Sequence, residues 1–203
     1  MKKIMFNDRF GLTEAVLSGR KTQTRRIIPK SVLDKADDYR VEYYNGTLSG
    51  ISEKEAIEQL YFAEKRLKLP YKVGEVVAVA QAYRTITDEF RAHQCIILSY
   101  TAGWKNKLFT RPELMPHSIR IMGVRVERLQ DISNEDCIRE GIMEGEFMNT
   151  WDRYYFDIWG DCALHKTFKT PRKAYASLID RISGKGTWDS NPLVFVYVFE
   201  LVD

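Results

Sequence analysis

Cysteine and histidine are scarce in this chain, and neither is grouped. Its 203 residues hold three of each. Cys95, Cys137 and Cys162 are odd in number and far apart, and no Cys-x-x-Cys pair exists. A disulfide framework or a zinc site is therefore disfavoured. His93, His117 and His165 stand apart from the thiols and from each other, so neither a metal nor a cofactor is expected. Long apolar runs are missing too. The longest, near Val76–Ala80, is far too short to span a bilayer, and the Met-Lys-Lys start lacks the apolar stretch of a signal peptide. These absences predict a cytoplasmic protein with reduced thiols and no membrane partner. Strong net charge is absent as well. A balance of +3 does not suit the bulk electrostatic wrapping of a polynucleotide.

What is present is an ordinary hydrophobic fraction of 44%, enough for one sizeable core. A single domain over residues 1–203 is expected. It would carry an insertion at about 30–70 and a helical elaboration at about 145–185. The positive charge is local. From Ala15 to Leu33 there is no acidic residue, yet Arg20, Lys21, Arg25, Arg26 and Lys30 fall in that span. A cluster of guanidinium groups without interleaved carboxylates suits an anionic or planar polar partner. The plainer alternative is an edge strand protected by charge.

Periodicity and punctuation predict the elements. Ile4–Phe6 reads as a short strand. Phe10 to Ser18 has helical spacing, and Gly19 fits a left-handed helix end. Lys21 to Ile28 reads as a strand stopped by Pro29. Val41–Tyr44 and Thr47–Ser49 around Asn45-Gly46 predict a hairpin. Ser52 with Glu55 is a capping box opening a helix to about Leu67. Val76–Ala80 is a buried strand and Cys95–Tyr100 another. Trp104 to Pro116 reads as loop. Ile119 and Ile121 alternate, as do Val124 and Val126, and the phase slips at Met122-Gly123, which predicts a bulge. Ser133 caps a short helix ending at Gly141. Thr170-Pro171 opens a helix that Gly184 closes. Pro192–Leu201 is apolar on both faces, as in a central strand. Trp151, Tyr155 and Trp159 recur at four-residue spacing, as on one helix face. The sum is an α+β or small-barrel architecture, with Val76–Ala80, Ile119–Arg128 and Pro192–Leu201 expected side by side in one sheet.

The stretch Gly19-Arg20-Lys21-Thr22-Gln23-Thr24-Arg25-Arg26 resembles the Gly-x-Lys-x-x-x-x-Arg signature of the ASCH domain, a PUA-like family. The resemblance is closest to the longer ASCH proteins of phages and prophages. Gly74–Val79, Val124–Ile132, Glu140-Gly141 and Trp188–Pro192 are similar to that subfamily in its order. Ala78 and Gln81 stand where the subfamily carries Trp and Glu. The resemblance implies a PUA-like β-barrel with helices packed around it and a cleft beside the first helix. It also implies RNA or a modified nucleoside as partner. A bacterial branch of the family hydrolyses N4-acetylcytidine with a lysine, a threonine and a glutamate. By motif these fall on Lys21, Thr24 and Glu140. A threonine hydroxyl becomes a nucleophile when a neighbour accepts its proton, and a lysine does so once burial or nearby cations lower its pKa.

Three function classes follow. The first is RNA or nucleoside binding in a cleft lined by the basic motif. The second is a metal-independent amidohydrolase acting on N4-acylated cytidine-type nucleosides. The third is a phage-encoded protein-interaction module. Candidate ligand contacts are Arg20, Thr22, Arg25, Arg26, Gln81, Trp104 and Lys105. The last two belong to a basic-aromatic loop of the kind that stacks on bases. On an ideal strand Lys21 and Thr24 would face opposite ways, so they converge only if Lys21 still belongs to the turn after Gly19.

Overall fold

The computed structural model describes residues 1–44, 50–86, 98–145, 153–156 and 167–202. Its centre is a five-stranded mixed sheet. In chain order the strands are β1 (Lys3–Ile4), β2 (Gln23–Ile27), β3 (Val76–Val79), β4 (Ser118–Arg128) and, last in the chain, β7 (Leu193–Val202). Their order across the sheet is β1-β3-β4-β7-β2, with β1 parallel to β3 and every other pair antiparallel. A second sheet pairs β5 (Met143–Glu144) with β6 (Tyr154–Tyr155). The fold is α+β. Among the described residues the large sheet is open, and no strand pairing joins β1 to β2.

The long β4–β7 ribbon is its spine. The register between the two shifts between Ile121 and Gly123, where the sequence changes phase, and the extra residue Met122 is exposed. Because of that bulge Ile119 and Ile121 on one side and Val126 on the other all reach the core. Leu193 to Tyr197 are all buried, as a strand flanked by β4 and β2 requires.

The helices cover this sheet. Helix α1 (Leu12–Leu17) ends in Ser18, and Gly19 takes the left-handed conformation at φ 73°. Helix α2 spans Lys30–Tyr44 and α3 Glu53–Glu58; the latter opens on the Ser52–Glu55 capping box and continues into a π turn over Gln59–Ala63. Helix α4 (Asn134–Arg139) is capped by Ser133. Helix α5 (Pro171–Ser183) is capped by Thr170 and followed by Gly184 at φ 109°. A short α6 (Thr187–Ser190) leads into β7.

Three local expectations are corrected. Val41–Tyr44 form the last turn of α2 instead of a hairpin strand. Val32, Leu33, Ala36 and Tyr39 repeat at helical spacing and pack into the core, so the long period wins over a four-residue alternation; 45–49 lie outside the described residues. Leu98 and Ser99 are helical and Tyr100 lies in a turn, against an expected strand over Cys95–Tyr100 whose residues 95–97 are not described. Tyr154–Tyr155 lie in a strand instead of on a helix face, and Trp151 and Trp159 fall outside the described residues. Among the described helices none is long and apolar enough to cross a membrane.

Candidate functional site

Strand β2 begins at Gln23, so Lys21 and Thr22 belong to the turn that leaves α1. That turn is pinned from two sides. The Lys21 amide donates to the Ala15 carbonyl at 2.7 Å, and the Thr22 amide donates to the Arg139 carbonyl at the end of α4 at 2.9 Å. Released from strand alternation, Lys21 turns inward and is 2% exposed. Its ammonium donates to Glu140 Oε2 at 2.5 Å and to the Glu140 carbonyl oxygen at 2.9 Å. The second bond satisfies a carbonyl left open where α4 ends. Gly141 makes this approach possible. It has φ 105°, and a Cβ there would meet Leu12 Cδ2 at 3.2 Å and Lys21 Cδ at 3.8 Å.

Lys21, Thr24 and Glu140 line one cavity of about 290 Å³, together with Arg25, Arg26 and Tyr175. The floor is apolar, from Leu129, Leu178, Ile179 and Val194. The structure therefore brings the three proposed catalytic side chains to one place. Thr24 is buried and makes no hydrogen bond through its hydroxyl among the described contacts.

Behind the cavity lies a charge network that the sequence hid. The Arg25 side chain is 0% exposed and donates to Glu127 Oε1 at 2.7 Å, Asp136 Oδ2 at 2.9 Å and Glu140 Oε1 at 3.0 Å. Arg125 reaches Glu127 Oε2 at 2.9 Å and Asp136 Oδ2 at 2.6 Å. Gln23 Nε2 donates to Asp136 Oδ1 at 2.9 Å. Four cations, Lys21, Arg25, Arg125 and the exposed Arg139, thus meet three carboxylates, Glu127, Asp136 and Glu140. Arg25 was expected to hold an anionic ligand. Its charge is instead neutralised by carboxylates on β4 and α4, more than 100 residues away in sequence.

The electrostatics follow from burial. Desolvation pulls the Lys21 ammonium below the ordinary lysine value, the Glu140 carboxylate pulls it back, and Arg26 and Arg25 add to the lowering; the net displacement is downward. Burial opposes ionisation of Asp136, but hydrogen bonds from Arg25 and Gln23 and the charges of Arg25 and Arg125 outweigh it, so its pKa falls. Burial, reinforced by the Glu140 carboxylate, raises the Tyr175 phenol well above its usual value and keeps it protonated. The Cys137 thiol is pushed up to about 12 by burial, which makes it unreactive.

The other expected ligand contacts separate. Arg26 is exposed, lines the cavity mouth and gives one bond to the Met5 carbonyl at 2.6 Å. Arg20 is exposed and lies outside the cavity lining; Thr22 is half-buried and also outside it. Gln81 and Lys105 line a different cavity of about 560 Å³ beside Asp8 and Glu14. Trp104 is half-buried and packs against a small apolar cluster of Ala78, Tyr83, Ile86 and Met115, away from the first cavity. Sequence reasoning missed Asp136 and Tyr175. Asp136 stood in the first turn of a capped helix, where an acid has an ordinary explanation. Tyr175 sits on the apolar face of α5. Among the described residues no group of three or more His, Cys, Asp or Glu could hold a metal ion. Compared with family models, curated proteins and solved structures, the chain gives no match.

Proposed function

We propose that the 290 Å³ cavity binds a nucleoside-type ligand and that the chain is a metal-independent amidohydrolase for N4-acylated cytidine-type nucleosides. The observation that carries this reading is the buried Lys21–Glu140 pair in the wall of the same cavity as Thr24. A lysine held below its ordinary pKa supplies a neutral amine at lower pH than a surface lysine does. Thr24 Oγ1 attacks the amide carbonyl carbon while its proton passes to the Lys21 nitrogen. The C–N bond breaks and the Lys21 ammonium returns the proton to the departing N4 amine. Water then cleaves the acyl-threonine ester with the same lysine as base. Glu140 orients Lys21 throughout, and the protonated Tyr175 hydroxyl is the donor available to the carbonyl oxygen.

The site is a small cavity and not an open basic groove, and Arg25 is neutralised internally. Both features favour a single nucleoside over a length of RNA. We read the fold as an ASCH domain with a PUA-like barrel. The β4–β7 ribbon with its bulge supports that reading, as does the Arg26–Met5 bond, which links β2 to the chain leaving β1.

The test is liquid chromatography of N4-acetylcytidine incubated with the protein and no added metal. Cytidine and acetate are expected. Thr24→Ala and Lys21→Met should each lose at least about a hundredfold in rate. No turnover across a panel of N4-acyl cytidines by the folded protein overturns the assignment. Turnover that survives Thr24→Ala replaces the threonine nucleophile with a lysine-activated water.

A further inference from the structure

A second cavity of about 470 Å³ shares Met5, Arg26 and Ile27 with the first. Its size is in the range that takes a small organic ligand. Three aromatic rings wall it. Phe195 and Tyr197 project from the same face of β7, and Tyr71 meets Tyr197 edge-on with ring centroids 5.6 Å apart. The Tyr71 hydroxyl is engaged, donating to the Lys3 carbonyl at 3.1 Å. The Tyr197 hydroxyl is not. It is fully buried, and no partner reaches it among the described residues. A buried hydroxyl without a partner is costly.

The charged lining has one sign: Lys3, Arg26 and Lys68, with no carboxylate. Lys3 contributes its stem alone, because its ammonium bonds the carbonyls of Lys107, Leu108 and Thr110. Arg26 uses one N–H on Met5 and keeps the rest of its fork. Lys68 is exposed and has no ion pair among the described residues. Two cations with free donors therefore stand at the rim of an aromatic chamber.

We propose that this cavity is a second binding site, for a planar aromatic ligand that carries an anionic group. The ring packs against Tyr71 and Phe195, and the anion meets Arg26 and Lys68. A nucleoside monophosphate and a free aryl carboxylate share that chemistry. The site does not depend on hydrolysis in the first cavity, and it is measured without turnover.

Isothermal titration calorimetry of the full chain tests it with cytidine 5′-monophosphate, benzoate, uncharged cytidine and inorganic phosphate. One of the two ring-bearing anions should bind, and which one binds separates the two sources. Cytidine or phosphate alone should bind at least about tenfold more weakly. Binding of the ring-bearing anion should weaken as salt rises. Lys68→Ala, a surface change confined to this cavity, should weaken it and flatten its salt dependence. If no ring-bearing anion binds, the proposal fails. It fails equally if affinity is unchanged in Lys68→Ala, because the ligand then sits elsewhere.

Discussion

Arg25 and Arg26 are neighbours in the chain and opposites in the fold. Arg25 faces α4 and β4, is buried and bonds three carboxylates; Arg26 faces the rim between two cavities, is exposed and bonds one carbonyl. Alternation along β2 separates them, and the difference shows that charge clustered in sequence is not charge clustered in space. A cation becomes structural when tertiary carboxylates reach it, and it stays available for a ligand when none does. The same division separates the two cavities. The first holds a charge-balanced network beside a nucleophile candidate, and the second holds aromatic rings under unmatched cations.

The largest effect expected from breaking this contrast is on stability. Arg25→Ala removes the guanidinium shared by buried Glu140 and half-buried Glu127 and Asp136, and Glu140→Ala strips the partner from Lys21. Each should cost about 3–5 kcal/mol in urea unfolding. A loss below about 1 kcal/mol for Arg25→Ala would show that the network contributes little. Next is Gly141→Ala, which forces a side chain into positive φ against Leu12 and Lys21. It should cost about 1–2 kcal/mol.

Acid sharpens the comparison further. Asp136 has a folded pKa below its unfolded one. Its contribution is therefore complete above the ordinary aspartate value and is lost as pH falls through the depressed value, below about pH 4. Asp136→Asn should flatten that limb of a stability-versus-pH curve, and an unchanged limb would place the titration elsewhere. Lys21 acts with the same slope in a higher pH window. Its lowered pKa means that the penalty of burying the charged form is present at low pH and is relieved as pH rises toward the ordinary lysine value. The smallest effect is Arg26→Ala, which should stay within about 0.5 kcal/mol of wild type. A larger loss would mean that Arg26 joins the two edges of the sheet more firmly than one hydrogen bond to Met5 suggests.

Much of the fold was legible because its signals are local. The caps at Ser52, Ser133 and Thr170, the left-handed glycines at Gly19, Gly141 and Gly184, and the phase slip at Met122-Gly123 each act within a few residues. The final strand, apolar on both faces, announced its central place. The hairpin at Val41–Tyr44 failed for the same reason: a short window carries alternation and helix equally well, and packing of Ala36 and Tyr39 decided it. Lys21, Thr24 and Glu140 were legible as candidates by resemblance alone.

Sequence by itself determined the α+β class, the caps, the bulge and the acid-free basic segment, because covalent spacing sets backbone preference and side-chain period. Tertiary structure decided which cations remain free. Glu127, Asp136 and Glu140 reach Arg25 and Lys21 across more than 100 residues of chain, and no local pattern records a partner that distant. It also decided that Lys21 and Thr24 share a cavity, since Lys21 leaves the strand's alternation by lying in the turn before it. The unpartnered hydroxyl of Tyr197 is likewise a tertiary fact: a tyrosine in an apolar strand reads as core until the space around its oxygen is known.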